Sequence, residues 1–157
     1  MNVVSPHIVL TSTDMTAAFA TKVGAILSKG DTLLLQGDIG AGKSFFARAL
    51  IQSLQTNPED VPSPTFTLVQ TYETRTGEIW HADLYRLSDP SEADELGLYD
   101  AFTNAICLIE WPDRLGNSTP KTAVTLTFET TQNDDERCVT IKENTSALAI
   151  KLLKALS

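Results

Sequence analysis

The chain has little cysteine. Cys107 and Cys138 stand far apart, with no paired spacing and no histidine cluster beside them. That excludes a disulfide framework and a structural zinc site, and leaves the expectation of two reduced, partly buried thiols. Basic residues are also short: 12 Lys and Arg against 20 Asp and Glu give a net charge of −8 and a pI near 4.6. An acidic surface repels phosphate backbones, so any contact with RNA is expected to run through a partner that carries the basic surface. No apolar stretch approaches the ~20 residues that a bilayer span needs. The opening Met-Asn-Val-Val-Ser-Pro-His has no basic region followed by an apolar run, so a cytoplasmic protein with no membrane association is expected. On that expectation the Asn-x-Ser/Thr patterns at Asn117 and Asn144 read as chance. Repeats, low-complexity tracts and linkers are missing too, and 157 residues suit one domain over 1–157.

What is present is ordinary globular material, 42% hydrophobic and 20% charged, arranged in alternating elements. Val3–Thr11 is rich in β-branched residues and reads as a strand. Ser12 or Thr13 then caps a helix whose apolar face is Met15, Ala18, Phe19, Val23, Ile26 and Leu27, with Gly30 ending it. Thr32–Gln36 is a short apolar run of the kind that fills a central strand. A second helix starts inside the glycine-rich segment and presents Phe46, Leu50 and Leu54. Pro58, Pro62 and Pro64 mark an irregular loop. Phe66–Glu73 and Glu78–Leu84 read as strands joined by a turn at Thr74–Gly77. Pro90–Phe102 reads as short acidic helices, Ala105–Glu110 as another buried strand. Ala123–Phe128 and Cys138–Lys142 form a second hairpin across a polar turn at Gln132–Arg137. Ser146–Leu156 closes as a helix with Leu148, Leu152 and Leu156 on one stripe. The expected class is α/β: a three-layer fold like that of phosphate-loop (P-loop) NTPases, with a mixed, mainly parallel central sheet and β-hairpins.

Gly37-Asp38-Ile39-Gly40-Ala41-Gly42-Lys43-Ser44 matches G-x-x-x-x-G-K-[ST], between a buried strand and an amphipathic helix. Glycines let the backbone curl and approach phosphates closely. Successive amide N–H groups and the positive end of the helix dipole then favour an anion, with Phe45 following on the first turn. Lys43 is expected to reach the terminal phosphates of a nucleotide, and the Ser44 hydroxyl to ligate magnesium. Guanine-specific proteins usually carry Asn-Lys-x-Asp, which is absent, so ATP is favoured. The Asp-x-x-Gly matches at Asp94–Gly97 and Asp113–Gly116 are too loose to weigh against that.

Phosphate-loop proteins also place a carboxylate at the end of a nearby strand, to hold the metal or orient water. Glu110 ends the run Ala-Ile-Cys-Leu-Ile, and Asp83 ends the strand that contains Ile79 and Trp80. Both are candidates, and spacing does not choose between them as the water-orienting group. Thr65, within Ser63-Pro64-Thr65-Phe66-Thr67, is the candidate hydroxyl for sensing a terminal phosphate. Trp111 is either a base-stacking or partner-contact aromatic or a core residue. His81 is either a metal or base group or, more simply, structural.

Taken together, four segments in this order resemble the TsaE (formerly YjeE) family: Gly37–Ser44, Ser63–Val69 (Ser-Pro-Thr-Phe-Thr-Leu-Val), His81–Arg86 (His-Ala-Asp-Leu-Tyr-Arg) and Ile109–Pro112 (Ile-Glu-Trp-Pro). The likeness spans about residues 10–145. It implies a bacterial ATPase, dependent on ATP and Mg2+, that works with TsaB and TsaD to install threonylcarbamoyl on the adenosine next to the anticodon, meeting tRNA only through that complex. It also implies that Lys43 and Ser44 bind phosphate and metal, that Glu110 ligates magnesium, and that Asp83 is an active-site acid. Thr65 would then lie in a switch-like loop, Trp111 beside the site, and Tyr85 and Arg86 on the partner face. Ser44 in place of the usual Thr, Ile39 for Leu and Ala49 for Gly depart from the family pattern without removing a chemical group.

The reaction expected is transfer of the terminal phosphoryl group to water. An arginine finger, worth about 10³–10⁵ in turnover, is not placed by any motif: Arg48 is on the loop helix and Arg86 just past Asp83. Weak activity alone and faster turnover with TsaB and TsaD are therefore expected. A small metabolite or nucleotide kinase is a rival, disfavoured because five arginines are scattered without forming a lid. A non-hydrolysing ATP-dependent switch is the other.

Overall fold

A computed structural model describes residues 6–64, 67–142 and 145–156. The expected strand over Val3–Thr11 is seen as β1, His7–Leu10, with residues 3–5 outside the described range. Helix α1, Thr13–Gly24, is capped by Ser12, whose hydroxyl accepts from the Met15 N–H at 3.1 Å. It ends before the expected Gly30. There the chain tightens into i→i+3 bonds, Ile26 to Val23 and Leu27 to Gly24. Leu27 still reaches the core.

Strand β2 is Thr32–Gln36 and helix α2 is Lys43–Ser53. Hairpin β3–β4 follows, Val69–Thr74 and Gly77–Asp83. Its expected start at Phe66 lies outside the described residues. Leu68, just before β3, has φ 67°, so the strand begins after a left-handed residue. The acidic stretch folds as α3, Ser91–Glu95, and α4, Leu98–Asn104, which lead into β5, Ile106–Glu110. A 3₁₀ helix at Pro112–Ser118, unforeseen in the sequence, comes next. β6, Val124–Thr130, and β7, Arg137–Lys142, form the second hairpin, and α5, Ala147–Leu156, closes the chain.

Seven described strands make one sheet in the order β1-β7-β6-β2-β5-β4-β3. The centre is parallel (β6-β2, β2-β5, β5-β4), and antiparallel pairs flank it on both sides. Leu33 and Leu35 point into one core with α1, α2 and α5. Leu34, Ala82, Cys107 and Ile109 point into the other, with α3, α4 and the 3₁₀ helix. This is the expected three-layer α/β arrangement. β2 and β5 are shielded on both faces, which is why their sequences run almost unbroken in apolar residues. Among the described residues no helix is long and apolar enough to cross a membrane.

The order has one consequence for the site. The chain leaves β2 into α2 on one face of the sheet and leaves the adjacent β5 into the 3₁₀ helix on the other. The crevice beyond the carboxyl ends of such strands is where α/β sheets hold ligands. Gln36, Asp83 and Glu110 end there.

Candidate functional site

The segment after β2 turns back sharply into α2. Gly37 has φ 146°, and an added Cβ would stand 2.5 Å from the Phe128 carbonyl oxygen. Close packing against β6 therefore demands glycine. Ala41 is buried in the core and donates its N–H to Asp38 O at 3.1 Å, framing the loop from behind, whereas Ile39, 79% exposed, stands at its tip. Helix α2 opens from Gly42 with no side-chain cap. Its first-turn N–H groups are of the kind that an anion satisfies.

One cavity of about 550 Å³ lies above these elements, within the usual range for a ligand site. Ile39, Gly40, Gly42, Lys43, Ser44 and Phe45 line it, facing Asp83, Glu110 and Trp111. The loop, both acids and the tryptophan named from sequence thus meet in one place. Thr65 lies outside the described residues. Its neighbour Ser63 lines the same cavity.

Lys43 is 5% exposed. Its Nζ donates to Gly37 O and sits 3.9 Å from the Trp111 ring centroid. Burial holds its pKa below the usual lysine value, and the charges of Glu110, Asp83, Asp38 and Asp113 oppose that shift. Trp111 reaches the lysine because its backbone is left-handed, at φ 57° and ψ 53°. A non-glycine residue pays about 1–3 kcal/mol for that conformation. The ring also packs on Tyr85 at 4.9 Å between centroids.

Glu110 is 2% exposed and well partnered. Ser44 Oγ lies 3.1 Å from Oε1 and 3.2 Å from Oε2, and His81 Nε2 lies 2.7 Å from Oε2. Asp83 faces Glu110 in the parallel register and accepts from the Tyr85 N–H at 3.0 Å. A hydroxyl and two carboxylates are oxygen donors suited to a hard divalent cation. A buried lysine and a helix N-terminus beside them suit a polyphosphate.

Sequence reasoning left two contributors unplaced. His81 is two residues before Asp83 on the same face of β4, a relation that strand alternation could have exposed. Arg137 also lines the cavity. Its guanidinium donates to the carbonyls of Asp134 and Glu136 in its own hairpin and to Gly40 O at 3.3 Å. Nothing local marks it, because it arrives only once β6 pairs with β2. Of the other arginines considered, Arg86 lines the cavity, whereas Arg48 is bonded to Val61 O.

The sequence pattern of the family described as "Threonylcarbamoyl adenosine biosynthesis protein TsaE" matches residues 10–139. A protein of Rickettsia bellii (strain RML369-C), named tRNA threonylcarbamoyladenosine biosynthesis protein TsaE, is 36% identical over 138 residues, covering 88% of this chain and 96% of that one. A protein of the same name from Haemophilus influenzae is 35% identical over 145 residues, covering 88% and 89%. The crystal structure of a Bacillus protein, YdiB, superposes with a TM-score of 0.79 at 26% identity, covering 99% of this chain and 96% of that one.

Proposed function

Because the chain belongs to the threonylcarbamoyl adenosine biosynthesis protein TsaE family, we propose that it serves tRNA threonylcarbamoyladenosine formation as a single-domain, magnesium-dependent ATPase that acts with TsaB and TsaD. The observation that carries this reading is the convergence of Lys43, Ser44, Asp83 and Glu110 on one cavity at the carboxyl end of the parallel strands.

In this reading the loop amides from Gly40 to Ser44 and the start of α2 hold the phosphates, and Lys43 turns from Gly37 O toward them. Bringing this buried ammonium onto a phosphate offsets, by charge attraction, the desolvation that depresses its pKa. The Ser44 hydroxyl and Glu110 carboxylate hold magnesium, and a bound magnesium ion supplies charge neutralisation for phosphoryl transfer. Asp83, across the register from Glu110, orients the attacking water. Trp111 packs over Lys43 and keeps bulk water from it. Arg137 is bonded to backbone carbonyls, which fits slow turnover in isolation and stimulation by partners. Tyr85 is 45% exposed and adjoins Arg86 at the cavity rim, a suitable partner contact.

Titration calorimetry with Mg–ATP tests the binding half. Removing a charged donor costs about 1.5–3 kcal/mol, so Lys43→Ala should weaken affinity roughly 10–100-fold. Phosphate release, followed with and without TsaB, TsaD and tRNA, tests the catalytic half. Wild-type protein that binds no Mg–ATP, or Lys43→Ala that binds it equally well, would sink the proposal. Transfer of the labelled phosphoryl group to an acceptor other than water would favour a kinase instead.

A further inference from the structure

Glu110 lies at the end of a buried strand with a histidine beneath it, and no role for that histidine follows from the loop motif. A buried, ionised carboxylate requires donors. Ser44 Oγ serves both oxygens at 3.1 and 3.2 Å, while His81 Nε2 lies 2.7 Å from Oε2 alone. An ionised carboxylate only accepts, so Nε2 carries the hydrogen and donates. His81 is 1% exposed, and its Nδ1 is buried with no hydrogen-bond partner among the described residues. A bare lone pair is the less costly occupant of that position, since a second N–H there would be an orphaned buried donor.

The register shows from which side this contact comes. His81 pairs with Leu108 and Asp83 with Glu110, so the imidazole lies one step back along the sheet from the carboxylate it touches. Ser44 approaches from the cavity and His81 from the core. The two oxygens are thereby made unequal, because Oε2 has a second, shorter bond that Oε1 lacks.

We infer that His81 is a positioning residue for the cation site: its Nε2–H fixes the Glu110 carboxylate so that Oε1 and the Ser44 hydroxyl together present a prearranged pair of oxygens to a divalent cation accompanying the nucleotide. This rests on the proposed reading of the cavity and goes beyond it by giving the histidine a function. Donors that orient a metal-bound carboxylate are worth about 10–100-fold in metal affinity. The nucleotide's own contacts, made by the loop and Lys43, do not involve His81.

The test is calorimetric binding of a non-hydrolysable ATP analogue with magnesium and, separately, in EDTA, together with Mn2+ binding followed by electron paramagnetic resonance. His81→Met fills the space without a donor. His81→Gln keeps an N–H at similar reach. The expected result is that His81→Met loses about tenfold or more of the magnesium-dependent gain in affinity and of Mn2+ affinity, with binding in EDTA unchanged, while His81→Gln stays within about threefold of wild type. A folded His81→Met with the full magnesium gain would overturn this inference alone. Equal losses in both variants would do the same, because they would trace the effect to packing rather than to the donor. Should His81→Met not fold, His81→Gln against His81→Asn, whose amide is too short to reach, makes the same comparison with the same two outcomes. Wild-type protein with no magnesium-dependent gain would overturn the cavity reading and this inference with it.

Discussion

Replacing Gly37 with alanine sets the phosphate loop against the strand it packs on. At φ 146° the backbone occupies a region that L side chains avoid, and the new Cβ would stand 2.5 Å from Phe128 O, 3.3 Å from Phe128 Cβ and 3.2 Å from Ala41 Cβ. The conformational cost is about 1–3 kcal/mol. The steric cost is comparable, about 1–3 kcal/mol, because the nearest atom is a backbone carbonyl of β6 that cannot turn aside like a side chain. A loss of roughly 4 kcal/mol is a large part of a net stability of about 5–15 kcal/mol. Gly40 in the same loop is the control: its φ is 83°, but an added Cβ meets nothing within 4 Å. Strain alone then costs about 1–2 kcal/mol. For a chain of this size each kcal/mol is worth about 2–4 °C, so Gly37→Ala should melt roughly 8–16 °C low and Gly40→Ala roughly 3–6 °C low. Scanning calorimetry measures both. Gly37 opens the loop whose amides hold the phosphates in the proposed reading, so displacing it should also weaken Mg–ATP binding in the same variant. A Gly37→Ala protein that melts no lower than Gly40→Ala would refute the claim that contact with β6 shapes this loop.

Burial pushes the Cys107 thiol up to about 12 from 9.0. The folded state keeps a proton that the unfolded chain releases, so its contribution is intact below pH 9 and declines from there toward pH 12, by up to about 4 kcal/mol at roughly 1.4 kcal/mol per unit. Urea unfolding at pH 8 and pH 10.5 should show a smaller alkaline loss for Cys107→Ala than for wild type, and equal losses would contradict it. Arg137→Ala frees Gly40 O and the hairpin carbonyls. Losing one charged hydrogen bond to the loop, about 1–2 kcal/mol, should weaken Mg–ATP binding roughly 5–30-fold by calorimetry. Arg137→Lys should not restore it, since an ammonium cannot span several carbonyls as the guanidinium fork does; unchanged affinity in Arg137→Ala would show that the arm is idle.

The parts readable in advance are those whose causes are local. Thr32–Gln36 before Gly37–Ser44 announces a central strand, a curled loop and a helix, because apolar run, glycine spacing and amphipathic period all act within a few residues. Glu110 was legible as a strand-end acid for the same reason. Arg137 was not. It meets the loop only because β6 pairs with β2, and strand order is a long-range outcome that periodicity does not encode. The left-handed Trp111 was equally hidden: tryptophan has no local preference for that conformation, and packing on Lys43, Tyr85 and the adjoining core helps to compensate it. α1 stopped short of Gly30 because the segment after Gly24 tightens into 3₁₀-type bonds, which hydrophobic spacing cannot distinguish from another helical turn.

Asp83 and Glu110, between which spacing does not choose as the water-orienting group, are separated by the sheet. They share a register position on adjacent parallel strands, so their Cα atoms stand about one strand spacing apart. β5 is adjacent to β2, whose following loop leads to Ser44, whereas β4 is one strand further out. The acid on the nearer strand is also the longer by one methylene. Glu110 reaches the Ser44 hydroxyl, while Asp83 curls back to accept the Tyr85 N–H. Position and length act in the same direction, so exchanging the two acids should not conserve the site even though charge and hydrogen-bonding capacity are unchanged. An aspartate at 110 would be too short for Ser44, and a glutamate at 83 would intrude on the space between the acids. The division of labour proposed for them, one on the metal side and one toward water, follows from which strand carries which side chain.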